Sequence, residues 1–133
     1  MNLLENLGIQ IQSVTAVQAV ITVAVTDQLK QPYGIVHGGI NAVLAETAAS
    51  LGANQWLRDH NQDRIAIGLN INTQHLRPVT SGTIKTIATP IKCGRRTQTW
   101  HAEVYNQDRL TSTSTVVLVN SDQQKIVAFL SLK

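Results

Sequence analysis

Five residues suited to carbonyl chemistry fall within one short stretch: Gln31, His37, Gly38, Gly39 and Glu46. The string Gln31-Pro32-Tyr33-Gly34-Ile35-Val36-His37-Gly38-Gly39 has the punctuation of a loop, and a helical pattern begins just after it. A helix N-terminus exposes unpaired N–H groups and carries partial positive charge, and glycine lets a ligand approach that backbone closely. The Gly38 amide is therefore placed to polarise a carbonyl, as an oxyanion hole does. Gln31 offers an uncharged amide donor nearby. Glu46 is a carboxylate whose helical neighbours are Ala42, Val43, Ala45, Ala49 and Ser50. Burying a charge there costs free energy unless the group is paired or used. Apart from Glu46, no charged side chain stands between His37 and Arg58. Taken singly, His37 reads as a helix cap, Gly38-Gly39 as a tight turn, and Gln31 as nearly uninformative. Together they describe a polarised carbonyl beside a lone carboxylate.

The elements that must position these groups follow from periodicity. Met1 to Leu7 reads as a helical turn ending at Gly8. Gly8 to Val14 alternates, with Ile9 and Ile11 on one face, and Val17 to Val25 alternates for nine residues. A period of two indicates strands, and the pair reads as a hairpin turning near Thr15-Ala16. From Ile40 to Leu57 the period changes: Ile40, Val43, Leu44, Thr47 and Leu51 form one helical stripe. The rest of that helix is small, with Ala42, Ala45, Ala48, Ala49, Gly52 and Ala53, so neighbouring backbone can come close and wrap it. Four strand-like segments follow, about 65–76, 82–91, 97–105 and 110–119, separated by turn material. They read as an antiparallel meander. A last alternating piece, Ile126 to Leu132, reads as an edge strand or a tail. One apolar helix and five or six strands imply an α+β domain with the sheet curled around the helix.

Composition narrows the function classes. With 133 residues the chain is one domain, 1–133, with its core at about 8–120 and the tail after Asn120 apart. Charged residues are only 14 % and hydrophobic ones 43 %, which excludes a disordered composition. The net charge is +3, yet the only adjacent basic pair is Arg95-Arg96, so nucleic-acid binding is not expected. The single cysteine, Cys93, excludes an intrachain disulfide framework and a multi-cysteine zinc site. No His, Cys and Asp cluster has metal-ligand spacing, and neither a metal nor a resident cofactor is expected. No apolar run approaches the roughly 20 residues of a membrane span, and the N-terminus lacks the features of a secretory signal. The expectation is a soluble cytoplasmic protein.

The string Q-P-x-G-x-x-H-G-G-x-x-x-x-x-x-E resembles the signature of the hotdog-fold acyl-CoA thioesterases, in the branch that contains 4-hydroxybenzoyl-CoA thioesterase and 1,4-dihydroxy-2-naphthoyl-CoA hydrolase. Two further segments resemble that branch: Asn72-Thr73-Gln74-His75-Leu76-Arg77-Pro78-Val79 and Gly94-Arg95-Arg96-Thr97-Gln98-Thr99-Trp100. The resemblance implies a hotdog fold, with a curved antiparallel sheet wrapped around one long central helix. It implies hydrolysis of a small acyl or aryl thioester of coenzyme A, or of acyl-carrier protein, whose pantetheine arm is the same. Gln31 and the Gly38 amide would hold the thioester carbonyl. Glu46 would attack it or activate a water, and His37 would orient the loop. Ser50, about 6 Å along the helix axis from Glu46, would bond the glutamate or the water. Coenzyme A is part of the substrate. Arg95 and Arg96, with Gly39, His75 and Arg77 as further candidates, would meet its phosphates. His60 and His101 fall outside the motif and take no role. Two other readings stay open: an acyl-CoA-binding sensor without turnover, and a hotdog hydratase or dehydratase. The acyl group itself is not identified.

The helix geometry adds one expectation about assembly. His37 and Glu46 are separated by nine residues, which is about 13 Å along a helix and roughly half a turn out of phase. One straight helix cannot present both to one carbonyl. Two antiparallel helices across a twofold axis can, and the resemblance implies the same homodimer, paired into a homotetramer.

Overall fold

The computed structural model describes residues 1–122. The piece at 126–132, read as an edge strand or a tail, lies outside the described residues. Helix α1 (Leu3–Leu7) is capped by Asn2, whose side chain accepts from the Glu5 amide, and it stops at Gly8, where φ is +78°. That left-handed value suits glycine. Strands β1 (Gln10–Val14) and β2 (Ala19–Ala24) form the expected hairpin. Its turn is longer than the alternation suggests. The Thr15 hydroxyl oxygen accepts from the amides of Val17 and Gln18, at 3.2 and 3.0 Å. Those amides are lost to the ladder, so pairing starts at Ala19 and Val17 is exposed. Ile9 and Ile11 do not share a face. The Ile9 amide donates to Leu4 at the end of α1, which docks Ile9 in the core, whereas Ile11 points to solvent.

A 3-10 turn at Asp27–Leu29 leads to the loop and then to α2 (Gly38–Asp59), which extends the expected helix at both ends. After it come β3 (Arg64–His75), β4 (Thr83–Cys93), β5 (Thr97–Asn106) and β6 (Arg109–Asp122). All pairings are antiparallel, in the order β1-β2-β4-β5-β6-β3. The expected meander is therefore only β4-β5-β6. Strand β3 lies at the far edge, paired with β6 along 11 positions from Arg64↔Asp122 to His75↔Ser112. The reason is the connection from Leu76 to Gly82, which is no hairpin. The amides of Leu76 and Arg77 donate to the Thr111 carbonyl on β6, while the Val79 carbonyl accepts from Val36 and the Gly82 carbonyl from Val25. This strap crosses the end of the sheet from the β6 side to the β2 side.

The face of α2 against the sheet is the small one. Its buried positions are Asn41, Leu44, Ala45, Ala48, Ala49, Gly52, Ala53 and Leu57. Of the stripe of larger residues, only Leu44 is fully buried; Thr47 is half-buried, and Ile40, Val43 and Leu51 are half-buried and pack against the margin of the core. Small side chains won because the sheet must curve closely around the helix. Trp100 on β5, wholly buried, lays its ring where a Gly52 side chain would stand. Its Nε1 donates to Gln98 at 2.9 Å, and Gln98 donates in turn to the Ala53 carbonyl and to Asn120, each at 3.1 Å. This buried polar chain ties α2, β5 and β6 together. Among the described residues no helix is long and apolar enough to cross a membrane.

Gly52→Ala is expected to destabilise the protein by about 1–3 kcal/mol through overpacking against Trp100. Denaturant unfolding checks this: the midpoint falls while the slope stays unchanged.

Candidate active site

The loop before α2 is built to hold its start in place. The Gln31 amide donates to the Ile35 carbonyl at 2.9 Å, and Gly34 supplies the positive φ, +85°, that closes the turn. Lys30 and Val36 form an isolated antiparallel bridge. The His37 amide donates to the Leu29 carbonyl at 2.8 Å. His37 is then the N-cap of α2: its Nδ1 accepts from the Gly39 amide at 2.8 Å. The Gly39 amide is thus committed to the cap. The Gly38 amide, first in the helix, has no intrahelical acceptor.

Beside it is a cavity of about 300 Å³, lined by Gln31, Gly38, Asn41, His75 and Arg77 among others. The His75 ring packs on Gly38: a Cβ there would lie 3.0 Å from Cε1 and 3.1 Å from Nε2. Its Nδ1 is 3.1 Å from the Asn41 amide nitrogen. Arg77 donates to the Leu110 carbonyl at 3.0 Å.

Glu46 belongs to a different hollow, of about 410 Å³, with Ser50, Thr47, Leu51 and the β3 residues Ala66 to Gly68. Its carboxylate occupies the space that a side chain at position 68 would need, so any larger residue there would displace it. Among the described residues no hydrogen bond or ion pair reaches that carboxylate. Ser50, one turn on, receives a 3.3 Å contact from the Asn54 side-chain amide. That amide also clamps β3: it accepts from the Ala66 amide at 2.9 Å and donates to the Ala66 carbonyl at 3.2 Å. The pairing of β3 slips between Gly68 and Asn70, next to Glu46.

The structure therefore brings Gln31, Gly38 and His75 to one cavity and Glu46 with Ser50 to another on the same helix. Arg95 and Arg96 lie exposed in the β4–β5 turn and line neither hollow. The Asn120 side chain donates to the carbonyls of Gly94 and Arg95, at 3.0 and 3.1 Å, and so fixes that turn. Asn41, Asn54 and Gly68 were not singled out from the sequence. A lone asparagine or glycine carries no periodic signal, and each acts through a partner distant in the chain. Cys93 is no competing nucleophile, because burial pushes its thiol up from the ordinary value and keeps it protonated. Among the described residues no three His, Cys, Asp or Glu side chains are grouped to hold a metal.

The model of the Thioesterase superfamily matches residues 33–113. The Bacillus subtilis protein ComA2 is 45 % identical over 117 residues, covering 87 % of this chain and 91 % of its own. A 1,4-dihydroxy-2-naphthoyl-CoA hydrolase of Listeria monocytogenes is 39 % identical over 107 residues, covering 80 % and 85 %. Two crystal structures of a Staphylococcus aureus thioesterase superimpose with TM-scores of 0.83 and 0.85, at 30 % and 28 % identity, covering 89 % and 91 % of this chain and 97 % and 99 % of theirs. In one a glutamate is replaced by alanine, in the other a glutamine. Those two positions are 15 apart, the same spacing as Gln31 and Glu46. A single long helix held by a six-stranded antiparallel sheet is the hotdog fold, and the chain belongs to the thioesterase superfamily. It is a thioester hydrolase.

Gly68→Ala is expected to push the Glu46 carboxylate aside and lower kcat about a hundredfold, the scale of a misplacement near 1 Å. Thioester hydrolysis followed by free-thiol release, with circular dichroism as the folding control, checks it.

Proposed function

We propose that the protein hydrolyses small acyl or aryl thioesters of coenzyme A at a site shared between two copies of the chain. The observation that carries this reading is Glu46: a half-buried carboxylate with no partner among the described residues, set against a glycine and beside Ser50. A structural carboxylate in such a place would be paired; an unpaired one is ready to act on a substrate. The mutated glutamine and glutamate of the S. aureus thioesterase share the spacing of Gln31 and Glu46, which supports their pairing in one reaction. The Listeria hydrolase supports coenzyme A as the thiol.

In this reading Gln31 and the Gly38 amide hold the thioester oxygen and stabilise the charge that develops on it. Glu46 attacks the carbonyl carbon, or takes a proton from a water that does. The carbon–sulfur bond breaks, and coenzyme A departs as a thiolate, which is stable enough to need no strong acid. His37, through its cap, keeps the Gly38 amide in place. Ser50 steadies the carboxylate or the water.

The two halves lie in separate hollows of one chain, so a second chain must supply the missing half. The face of α2 that carries Ile40, Val43, Glu46, Thr47, Ser50 and Leu51 is only half covered, and among the described residues no strand pairs with the outer edge of β3. Both features suit a twofold dimer in which antiparallel α2 helices face each other, with further pairing into a tetramer. Arg95 and Arg96, on their fixed turn, then serve the coenzyme phosphates.

Glu46→Ala is expected to abolish hydrolysis by several orders of magnitude, as removal of one member of a catalytic unit does. A variant that keeps more than about a tenth of wild-type kcat would remove Glu46 from this role. Sharing of the site is tested by unfolding His37→Ala and Glu46→Ala proteins, mixing them and refolding. Random pairing makes about half the dimers mixed, each with one intact site, so about a quarter of wild-type activity returns. No return in verified mixed dimers places both halves in one chain. The double change Arg95→Ala with Arg96→Ala is expected to raise KM for coenzyme A thioesters about fivefold, the scale of an exposed charge contact. A short pantetheine thioester, which lacks the nucleotide phosphates, is expected to be unaffected.

A further inference from the structure

Asn41 has no part in the roles set out above, and its contact with His75, until now only a candidate for the coenzyme phosphates, is chemically unusual. Asn41 lies on the sheet-facing side of α2, one turn past Gly38, and is only 7 % exposed. Its Oδ1 is buried without a hydrogen-bond partner. An orphaned buried acceptor is destabilising, and an apolar side chain of the same size would avoid that cost. What the asparagine gains is one contact: its Nδ2 lies 3.1 Å from His75 Nδ1. The reverse placement of the amide would leave both N–H donors without a partner, against the carbonyl and one N–H here, and unpaired donors are the rarer case in proteins. The amide therefore donates to Nδ1. A ring nitrogen that accepts carries no proton, so in the neutral imidazole the proton sits on Nε2. That nitrogen is the one lying 3.1 Å from the notional Gly38 Cβ, at the start of the helix and in the same cavity as Gln31.

We propose that Asn41 is a positioning residue for thioester hydrolysis: it holds His75 as the Nε2–H tautomer, with that N–H directed beside the Gly38 amide as a further donor to the polarised carbonyl. This rests on the reading that Gly38 and Gln31 hold that carbonyl. His75 is itself solvent-exposed. Without Asn41 its Nδ1 would bond water, and the ring would exchange tautomers and turn.

The test combines two variants, one double variant and one spectrum. Asn41→Leu keeps the volume and deletes the orphaned acceptor, so thermal stability is expected to hold or rise. Its kcat is nevertheless expected to fall about tenfold, part of the hundredfold or more that a lost oxyanion donor costs, with KM within about twofold. His75→Ala is expected to lose at least as much. The double variant Asn41→Leu/His75→Ala is expected to match His75→Ala alone within about twofold, because Asn41 acts only through the ring. Nitrogen-15 NMR of the free wild-type protein, above the pH at which the ring is protonated, is expected to show the proton of His75 on Nε2. Asn41→Leu should show a mixture of tautomers. An unchanged kcat in Asn41→Leu, losses that multiply in the double variant, or a wild-type proton on Nδ1 would each overturn the proposal. A wild-type protein that releases no thiol from any acyl-CoA would instead overturn the underlying function, while the spectrum would still report on the pair.

Discussion

The structure depends on how closely a sheet can approach a helix. In α2 the sheet-facing positions are mostly alanine and glycine, so the Trp100 ring lies directly against the helix surface at Gly52. Large side chains there would hold the sheet off and flatten it. Because the fit is close, side chains from the sheet reach the helix backbone itself, as Gln98 does at the Ala53 carbonyl. Tight packing of this kind tolerates little added volume, and it makes α2 a rigid frame for whatever its ends and flanks carry.

That frame explains the form of the site. The start of α2 is fixed by the His37 cap and by the loop that ties Leu29, Val36 and Val79 together. The middle of α2 is fixed against β3 by Asn54, which places Glu46 opposite Gly68. Neither group sits on a free loop. The carboxylate and the helix-end amide are held by the same rigid element, and their separation is as constant as the helix rise. Groups carried on such a helix are held in place with few polar contacts of their own.

Much of this was legible in the sequence. The change of period at Ile40 marks the helix, the alternation after Ile65 marks the strands, and the spacing from Gln31 to Glu46 marks the thioesterase family. Two things were not legible, each for a physical reason. Strand β3 looked like the first strand of a meander, because local pattern does not report which edge a strand joins. That is decided by the strap at Leu76–Gly82, whose hydrogen bonds to Thr111, Val36 and Val25 are all long-range. Finally, Gly68, Asn41 and Asn54 are single residues whose meaning lies in the neighbour they meet. Gly68 reads as a weak point in a strand until the Glu46 carboxylate is seen in the space it leaves.

The clamp between Asn54 and Ala66 has a further consequence for the outer edge of β3, which pairs with no strand among the described residues. Because the side-chain amide holds both the N–H and the C=O of Ala66, these groups face away from β6 and would otherwise be the first rung offered to an arriving strand. An edge left bare along its whole length is a template for any extended chain. Here the rung at Ala66 is already taken, and the slip at Leu69 offsets the two parts of the strand. A strand adding to this edge finds a continuous ladder only on the far side of the slip, toward His75. Asn54 thus acts as a register stop: it fixes where edge-to-edge pairing can begin and shortens the surface open to mispairing.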